Sequence, residues 1–106
     1  MPNKLNKARL DAMVEDATVD GHDASEQVQG LFTMIEENLK LPFETKVLGT
    51  PVTVERVDLN GRDEIVAVCR SGKYRQTIPI LHLPLPAPAP LGAEWIEAYL
   101  HWAGKS

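Results

Sequence analysis

The chain begins with two segments in which apolar residues recur at the spacing of one helix face. Positions i, i+3, i+4 and i+7 are apolar between residues 5 and 17, and a similar stripe runs from residue 28 to residue 39, which predicts two amphipathic helices. Pro42 closes the second segment, because proline lacks the backbone N–H that a helix needs. The apolar positions are Leu10, Met13, Val14 and Ala17 in the first helix and Val28, Leu31, Phe32, Ile35 and Leu39 in the second.

A polar turn separates the two predicted helices. Asp20-Gly21-His22-Asp23 interrupts the apolar period, and we expect Gly21 to adopt the positive φ that often ends a helix. Asp23 is a favoured N-cap residue, and Glu26, three positions later, completes an Asp-x-x-Glu form of the capping box. The N-terminal part is therefore predicted to be a helix–turn–helix.

After Pro42 the apolar period changes to two, which is the period of a strand. Four segments rich in β-branched residues predict an antiparallel meander, and Asn60-Gly61 predicts a type I′ hairpin turn. Such a meander either curls into a half-open SH3-like barrel or packs one face against the helices. The predicted strands are residues 43–48, 52–59, 65–70 and 74–80, and the other tight connections are residues 49–51 and 71–73.

The C-terminal part combines a proline-rich segment with a short helix. Proline occupies every second position from Pro84 to Pro90, which predicts an extended strap over the surface. The predicted fold class is α+β, with an N-terminal helical pair, a four-to-five-stranded antiparallel SH3-like meander or barrel, and a C-terminal helix. We expect one domain over residues 1–106, comprising an acidic helix–turn–helix (3–41), antiparallel strands (43–81), the strap (83–91) and the C-terminal helix (93–103).

Composition narrows the class of protein. The 106 residues are 43% hydrophobic and 25% charged, which is ordinary for a globular domain. A net charge of −4 disfavours nucleic acid as a partner, because binding to a phosphate backbone depends on Lys and Arg. Cys69 is the only cysteine and cannot form an internal disulfide, and no apolar run reaches the roughly 18 residues of a membrane span. We therefore expect a cytoplasmic protein with no membrane partner.

Charge is distributed very unevenly along the chain. Between Leu10 and Leu39 there are eight carboxylates and no Lys or Arg. Either these charges lie on solvated helix faces, or some of them converge on a cation such as Ca²⁺, which prefers six to eight oxygen ligands. The candidate ligands straddle the predicted turn and are Asp16, Asp20, Asp23 and Glu26, with backbone carbonyl oxygens around Gly21 completing the shell.

The candidate cation site is not an EF-hand. Aligned from Asp16, the EF-hand loop has its glycine at Gly21, but the apolar position is occupied by Asp23 and the bidentate glutamate position by Gln27. The alternative interpretation is that Asp23 and Glu26 only cap the second helix while the other two carboxylates are solvated.

A weaker secondary cation candidate lies at the predicted hairpin tip. Asp58, Asn60 and Asp63 offer oxygen ligands there, although Asp and Asn are also good turn formers and Arg62 partly neutralises the charge. No Cys or His pair has the spacing of a zinc site, and no serine has the context of a nucleophile. We therefore expect no enzymatic activity.

The order of motifs carries a resemblance to a known family. Val19-Asp20-Gly21-His22-Asp23 precedes a helix that ends in Glu37-Asn38-Leu39-Lys40-Leu41-Pro42-Phe43, and a strand-rich stretch with the segment Ile78–Leu85 leads to Glu94–Trp102. This order resembles the small acidic calcium-binding proteins first known from heterocyst-forming cyanobacteria, which are not EF-hands. The resemblance covers most of the chain, and its most specific piece is the Glu-Asn-Leu-x-x-Pro-Phe junction.

That resemblance implies Ca²⁺ binding by surface carboxylates, in a buffer or sensor of cytoplasmic calcium. Asp20, Asp23 and Glu26 stand where the family has its acidic run. Our leading hypothesis is therefore a calcium-binding protein. The alternative is a non-catalytic SH3-like module with no metal, whose acidic helices or aromatic edge contact a protein partner, and a third possibility is a family member that retains no ligand.

Overall fold

The structure, a computed structural model, describes residues 6–104 and contains helices and strands in the predicted order. Residues 3–5 of the predicted helical part lie outside the described residues. The helices and the antiparallel sheet confirm the α+β class. The elements are α1 (Lys7–Ala17), α2 (Ala24–Asn38), β1 (Phe43–Val47), β2 (Thr50–Leu59), β3 (Ile65–Ser71), β4 (Tyr74–Pro79), a short 3₁₀ turn (Ile80–His82) and α3 (Glu94–Trp102).

The described strands form an open antiparallel sheet in the order β1-β2-β3-β4. The SH3-like barrel is not confirmed, because this sheet does not close on itself and β1 and β4 are its two edges. Instead, the helices supply the apolar groups that cover one face of the sheet. Leu31, Ile35 and Ile96 from the helices are fully buried in the same core as Val54 and Ile65 from the strands.

The β3–β4 connection lies at residues 71–73 as predicted, whereas the turns before and after β2 differ from the predicted ones. Leu48 and Gly49 both have positive φ, at 52° and 79°, so the type I′ geometry occurs between β1 and β2. Gly61 does not have positive φ, and the type I′ turn predicted at Asn60-Gly61 is wrong. The side chain of Asn60 closes a wider loop instead: its Oδ1 accepts hydrogen bonds from the backbone N–H groups of Arg62 and Glu64.

The end of α1 also differs from the prediction. Gly21 lacks the positive φ expected of it. The helix ends earlier, at Thr18, whose backbone N–H and hydroxyl both donate to the carbonyl oxygen of Val14. The hydroxyl adds a second hydrogen bond to this carbonyl, and Thr18 ends the helix with a negative φ, without a glycine.

The proline-rich residues 83–90 have neither helix nor strand and are held to the domain by hydrogen bonds near both ends. The hydroxyl of Thr45 in β1 donates to the carbonyl oxygen of Pro84 at 2.7 Å. The backbone N–H of Lys40 donates to the carbonyl oxygen of Leu91 at 2.8 Å. The segment therefore runs from the inner side of β1 to the C-terminal end of α2, where α3 begins.

Two glycines allow backbone segments to approach α2 closely. A Cβ atom added at Gly30 in α2 would overlap the carbonyl oxygen of Ala17 at the end of α1. A Cβ added at Gly92, whose φ is 88°, would overlap the carbonyl oxygen of Asn38 at the end of α2. The positions of α1 and of the segment leading into α3 therefore depend on the absence of a side chain at these two sites.

The outer face of the sheet carries a small ionic cluster. Glu55 has no partner in the β2–β3 register, at an irregularity between Val54 and Arg56. Its carboxylate accepts hydrogen bonds from Nε of Arg70 at 2.7 Å and Nε of Arg75 at 3.0 Å. These bonds lower the pKa of the Glu55 carboxyl from its ordinary value, and the bond from Arg75 has the larger effect.

We expect Gly30→Ala to destabilise the protein. On an exposed helix face this substitution would stabilise the protein by about 1 kcal/mol, because alanine has the higher helix propensity. At Gly30 the added methyl instead meets the backbone of Ala17, which cannot rotate away as a side chain could. Overpacking of this kind costs about 1–3 kcal/mol, so thermal unfolding should occur several degrees lower. Gly61→Ala is the matched control, because a Cβ at Gly61 has no heavy atom within 4 Å. Equal melting temperatures for the two variants would contradict the close approach.

We expect Glu55→Gln to reduce stability at neutral pH and to have less effect in acid. A carboxyl whose pKa is lowered by folding contributes stability above its ordinary pKa, near 4.5, and loses it as the pH falls through the folded value. The difference in free energy of unfolding between wild type and variant should therefore shrink below about pH 4.5.

The control for this measurement is Glu44→Gln on β1, since Glu44 is exposed and makes no ion pair within the described residues. Urea unfolding at a series of pH values checks both variants. A pH-independent effect of Glu55→Gln would show that the two arginines do not stabilise the charged form.

Candidate functional site

Three of the four predicted cation ligands share one surface depression. It lies between the end of α1 and the start of α2, has a volume of about 420 Å³, and is lined by Asp16, Asp20 and Glu26. No Lys or Arg is among its lining residues, which also include Gly21. Asp23 does not line this depression. The helix–turn–helix thus gathers three carboxylates around one space and leaves the fourth beside it.

Two of the predicted ligands cap α2. Asp23 is the N-cap residue, and its Oδ1 accepts a hydrogen bond from the backbone N–H of Glu26 at 2.9 Å. Oε1 of Glu26 accepts from the backbone N–H of His22 at 2.7 Å. The second bond reaches one residue further back than the bond of a standard capping box. Each carboxylate uses one oxygen for these bonds and keeps its other oxygen for a further partner.

The four carboxylates do not form a ready-made metal centre. Within residues 6–104, no three His, Cys, Asp or Glu side chains are close enough together to hold a metal ion. All four carboxylates are exposed, and the capping bonds hold Asp23 and Glu26, whereas Asp16 and Asp20 make no side-chain hydrogen bond or ion pair within the described residues. A cation bound here would have to draw the carboxylates together, at a cost in side-chain entropy.

The secondary candidate at the β2–β3 loop is used mainly by the loop itself. Oδ2 of Asp58 forms an ion pair with Arg56 at 3.2 Å, and its Oδ1 accepts from the backbone N–H of Leu59. Oδ1 of Asn60 already accepts two backbone hydrogen bonds, and Asp63 adopts a positive φ of 60°. These contacts explain Asp58, Asn60 and Asp63 as residues that form the turn.

The turn between α1 and α2 is connected to α3 by a side-chain contact that the sequence did not suggest. The backbone of Gly21 packs against the side chain of Gln27, and Oε1 of Gln27 accepts a hydrogen bond from Nε1 of Trp102 at 2.9 Å. The indole of Trp102 stacks on Tyr99 with ring centroids 6.1 Å apart. A half-buried tryptophan usually has an acceptor for its N–H, but the sequence does not say which residue supplies it.

A second polar contact joins α1 and α3. Nε2 of His101 in α3 lies 2.6 Å from Oδ1 of Asp11 in α1. The single thiol is remote from both contacts: Cys69 is buried in β3, and burial raises the pKa of its thiol. A thiol held in its protonated form is a poor nucleophile and a poor metal ligand, so Cys69 acts here as a core residue.

Comparisons with known proteins assign no family. The chain matches no protein-family model, and it matches none of the curated proteins or solved structures with which it was compared. None of the described helices has the length and apolar character needed to cross a membrane. Functional inference therefore depends on the residues and their geometry.

We expect Asp23→Ala and Asp23→Asn to differ in stability. Alanine removes the side-chain oxygen that caps α2, at a cost of about 1 kcal/mol, whereas asparagine keeps an oxygen and caps nearly as well. Asparagine loses only the favourable interaction of the charge with the helix dipole. Chemical unfolding of the two variants measures the difference, and an equal loss of stability would mean that charge, not the hydrogen bond, is what matters at this position.

Proposed function

We propose that the protein binds Ca²⁺ at the junction of α1 and α2, as a buffer or sensor of calcium. The observation that carries this proposal is the common depression lined by Asp16, Asp20 and Glu26, which contains no basic side chain. Asp23 is the fourth carboxylate, at the edge of the site. The resemblance of the sequence motifs to a family of small acidic calcium-binding proteins supports the same function.

The chemistry of the junction suits Ca²⁺ better than Mg²⁺. Calcium accepts carboxylates, backbone carbonyls and waters in a flexible arrangement, whereas magnesium requires near-ideal octahedral geometry. Exposed carboxylates on a turn give a variable arrangement, and backbone carbonyl oxygens near Gly21 would complete the shell. Because Asp16 and Asp20 are not held in place beforehand, we expect a dissociation constant on the order of 10⁻⁴ M.

The proposal predicts saturable binding of Ca²⁺ by the chelator-stripped protein in a calorimetric titration, with binding that survives excess Mg²⁺. Asp16→Asn with Asp20→Asn should weaken the affinity at least tenfold, because two of the three carboxylates around the depression lose their charge. Neither side chain makes a hydrogen bond or ion pair within the described residues, so the double variant should fold normally.

The matched control is Glu36→Gln with Glu37→Gln, which removes the same amount of charge from the exposed surface of α2 outside the depression. It should change the affinity by less than about threefold, as expected for screened surface charges. Equal weakening by both double variants would point to a general effect of negative charge. The absence of any calcium heat or any calcium-dependent shift in melting temperature would contradict the proposal.

The competing proposal is a non-catalytic protein–protein interaction module without a metal. This alternative takes the four-stranded meander as the open form of an SH3-like barrel. One observation favours it: a groove of about 500 Å³, partly apolar, lies between the proline-rich segment and the start of α3. The groove and the carboxylate depression lie on different parts of the helical layer, so the two proposals can be tested separately.

A further inference from the structure

The groove beside α3, here called the strap groove, combines an apolar lining with charged residues. Leu85, Pro88 and Leu91 line it from the proline-rich segment, and Glu94 and Glu97 line it from the first turns of α3. Arg9 of α1 also contributes to its lining. A concave surface with this mixture is typical of a site that holds an apolar side chain and fixes its neighbours by charge.

The apolar part of the strap groove is open to solvent. Leu91 is 72% exposed, one of few large hydrophobic side chains with that exposure among the described residues. Prolines on the same wall have fixed φ, so this wall loses little conformational entropy when it is covered by a partner. The groove is therefore prepared to bury apolar surface at low entropic cost.

The charge of the strap groove selects the partner. Glu94, Glu97 and Arg9 make no ion pair within residues 6–104, so the groove has two unneutralised carboxylates against one guanidinium. Residues 7–38, which contain α1 and α2, carry eight carboxylates and only two basic residues, one of them Arg9 itself. This field attracts a positively charged segment and repels an acidic one.

We propose that the strap groove binds a short segment of another protein in which an apolar side chain is flanked by lysine or arginine. The apolar side chain covers Leu85 and Leu91, and the basic residues pair with Glu94 and Glu97. The inference rests on the interaction-module alternative and is independent of calcium binding.

The test uses three nine-residue peptides with the same central Leu-x-x-Phe and with flanks of lysine, serine or glutamate. Amide shifts of the ¹⁵N-labelled protein are followed as each peptide is added. The lysine peptide should shift the amides of Leu91, Gly92 and Glu94 in a saturable way, with an affinity at least tenfold above that for the glutamate peptide. The preference should fall as salt is raised, because the pairs are exposed.

Paired variants separate a specific site from general attraction. Glu94→Gln with Glu97→Gln should weaken binding of the lysine peptide about tenfold, while Glu36→Gln with Glu37→Gln, an equal charge change outside the groove, should weaken it less than threefold. Glu94 and Glu97 also lie in the first turn of α3, where their negative charges interact favourably with the helix dipole. Unchanged amide shifts far from the groove therefore serve as the check that each variant is folded.

Each outcome of these titrations either supports or overturns the proposal. Groove shifts with a clear preference for the lysine peptide, lost when Glu94 and Glu97 are both replaced, support it. Equal binding of all three peptides in the groove supports an interaction module but overturns the basic partner. If no peptide shifts the groove amides, the proposal is overturned and the groove no longer supports the interaction module. The calcium titration tests the calcium site separately.

Discussion

The arrangement of the helices depends on two places where backbone meets backbone without a side chain between. At Gly30 the carbonyl oxygen of Ala17 occupies the space of a Cβ atom, and at Gly92 the carbonyl oxygen of Asn38 does the same. Both contacts involve α2, so this helix fixes the end of α1 on one side and the start of α3 on the other. Ala17 and Gly30 line the carboxylate depression, and Leu91 and Ala93, the neighbours of Gly92, line the strap groove.

The two layers of the domain also differ in charge. Residues 7–38 carry eight carboxylates and two basic residues, whereas residues 43–79 carry five carboxylates and six basic residues. On the sheet, opposite charges meet, as at Glu55 with Arg70 and Arg75. On α1 and α2 no carboxylate pairs with Lys or Arg among the described residues, and the repulsion is reduced by exposure to water, by helix capping and by the contact of Asp11 with His101. A cation or a basic partner would lower the electrostatic free energy of the helical layer but do little for the sheet.

Apolar periodicity predicted the elements well because it reports directly on burial. Leu31 and Ile35, predicted on the inner stripe of α2, are fully buried, and Asp23 caps that helix as its position suggested. Turn geometry was less predictable, since Asn60 uses its side chain to close a wider loop while exposed Leu48 takes up the positive φ with Gly49. The close approach of α1 at Gly30 was not predicted. A glycine inside a helix costs about 1 kcal/mol relative to alanine, which is a signal that another segment packs closely there.

The candidate cation site was predicted only as far as spacing allows. The sequence places four carboxylates around one turn, but it cannot show that Asp23 and Glu26 each commit one oxygen to the start of α2. Capping and cation binding are compatible, because the second oxygen of each group is available. Capping holds these two side chains in place whether or not an ion is present, whereas Asp16 and Asp20 have no such support. In the proposed calcium site the affinity would therefore be limited by the cost of ordering Asp16 and Asp20, which argues for weak, readily reversible binding.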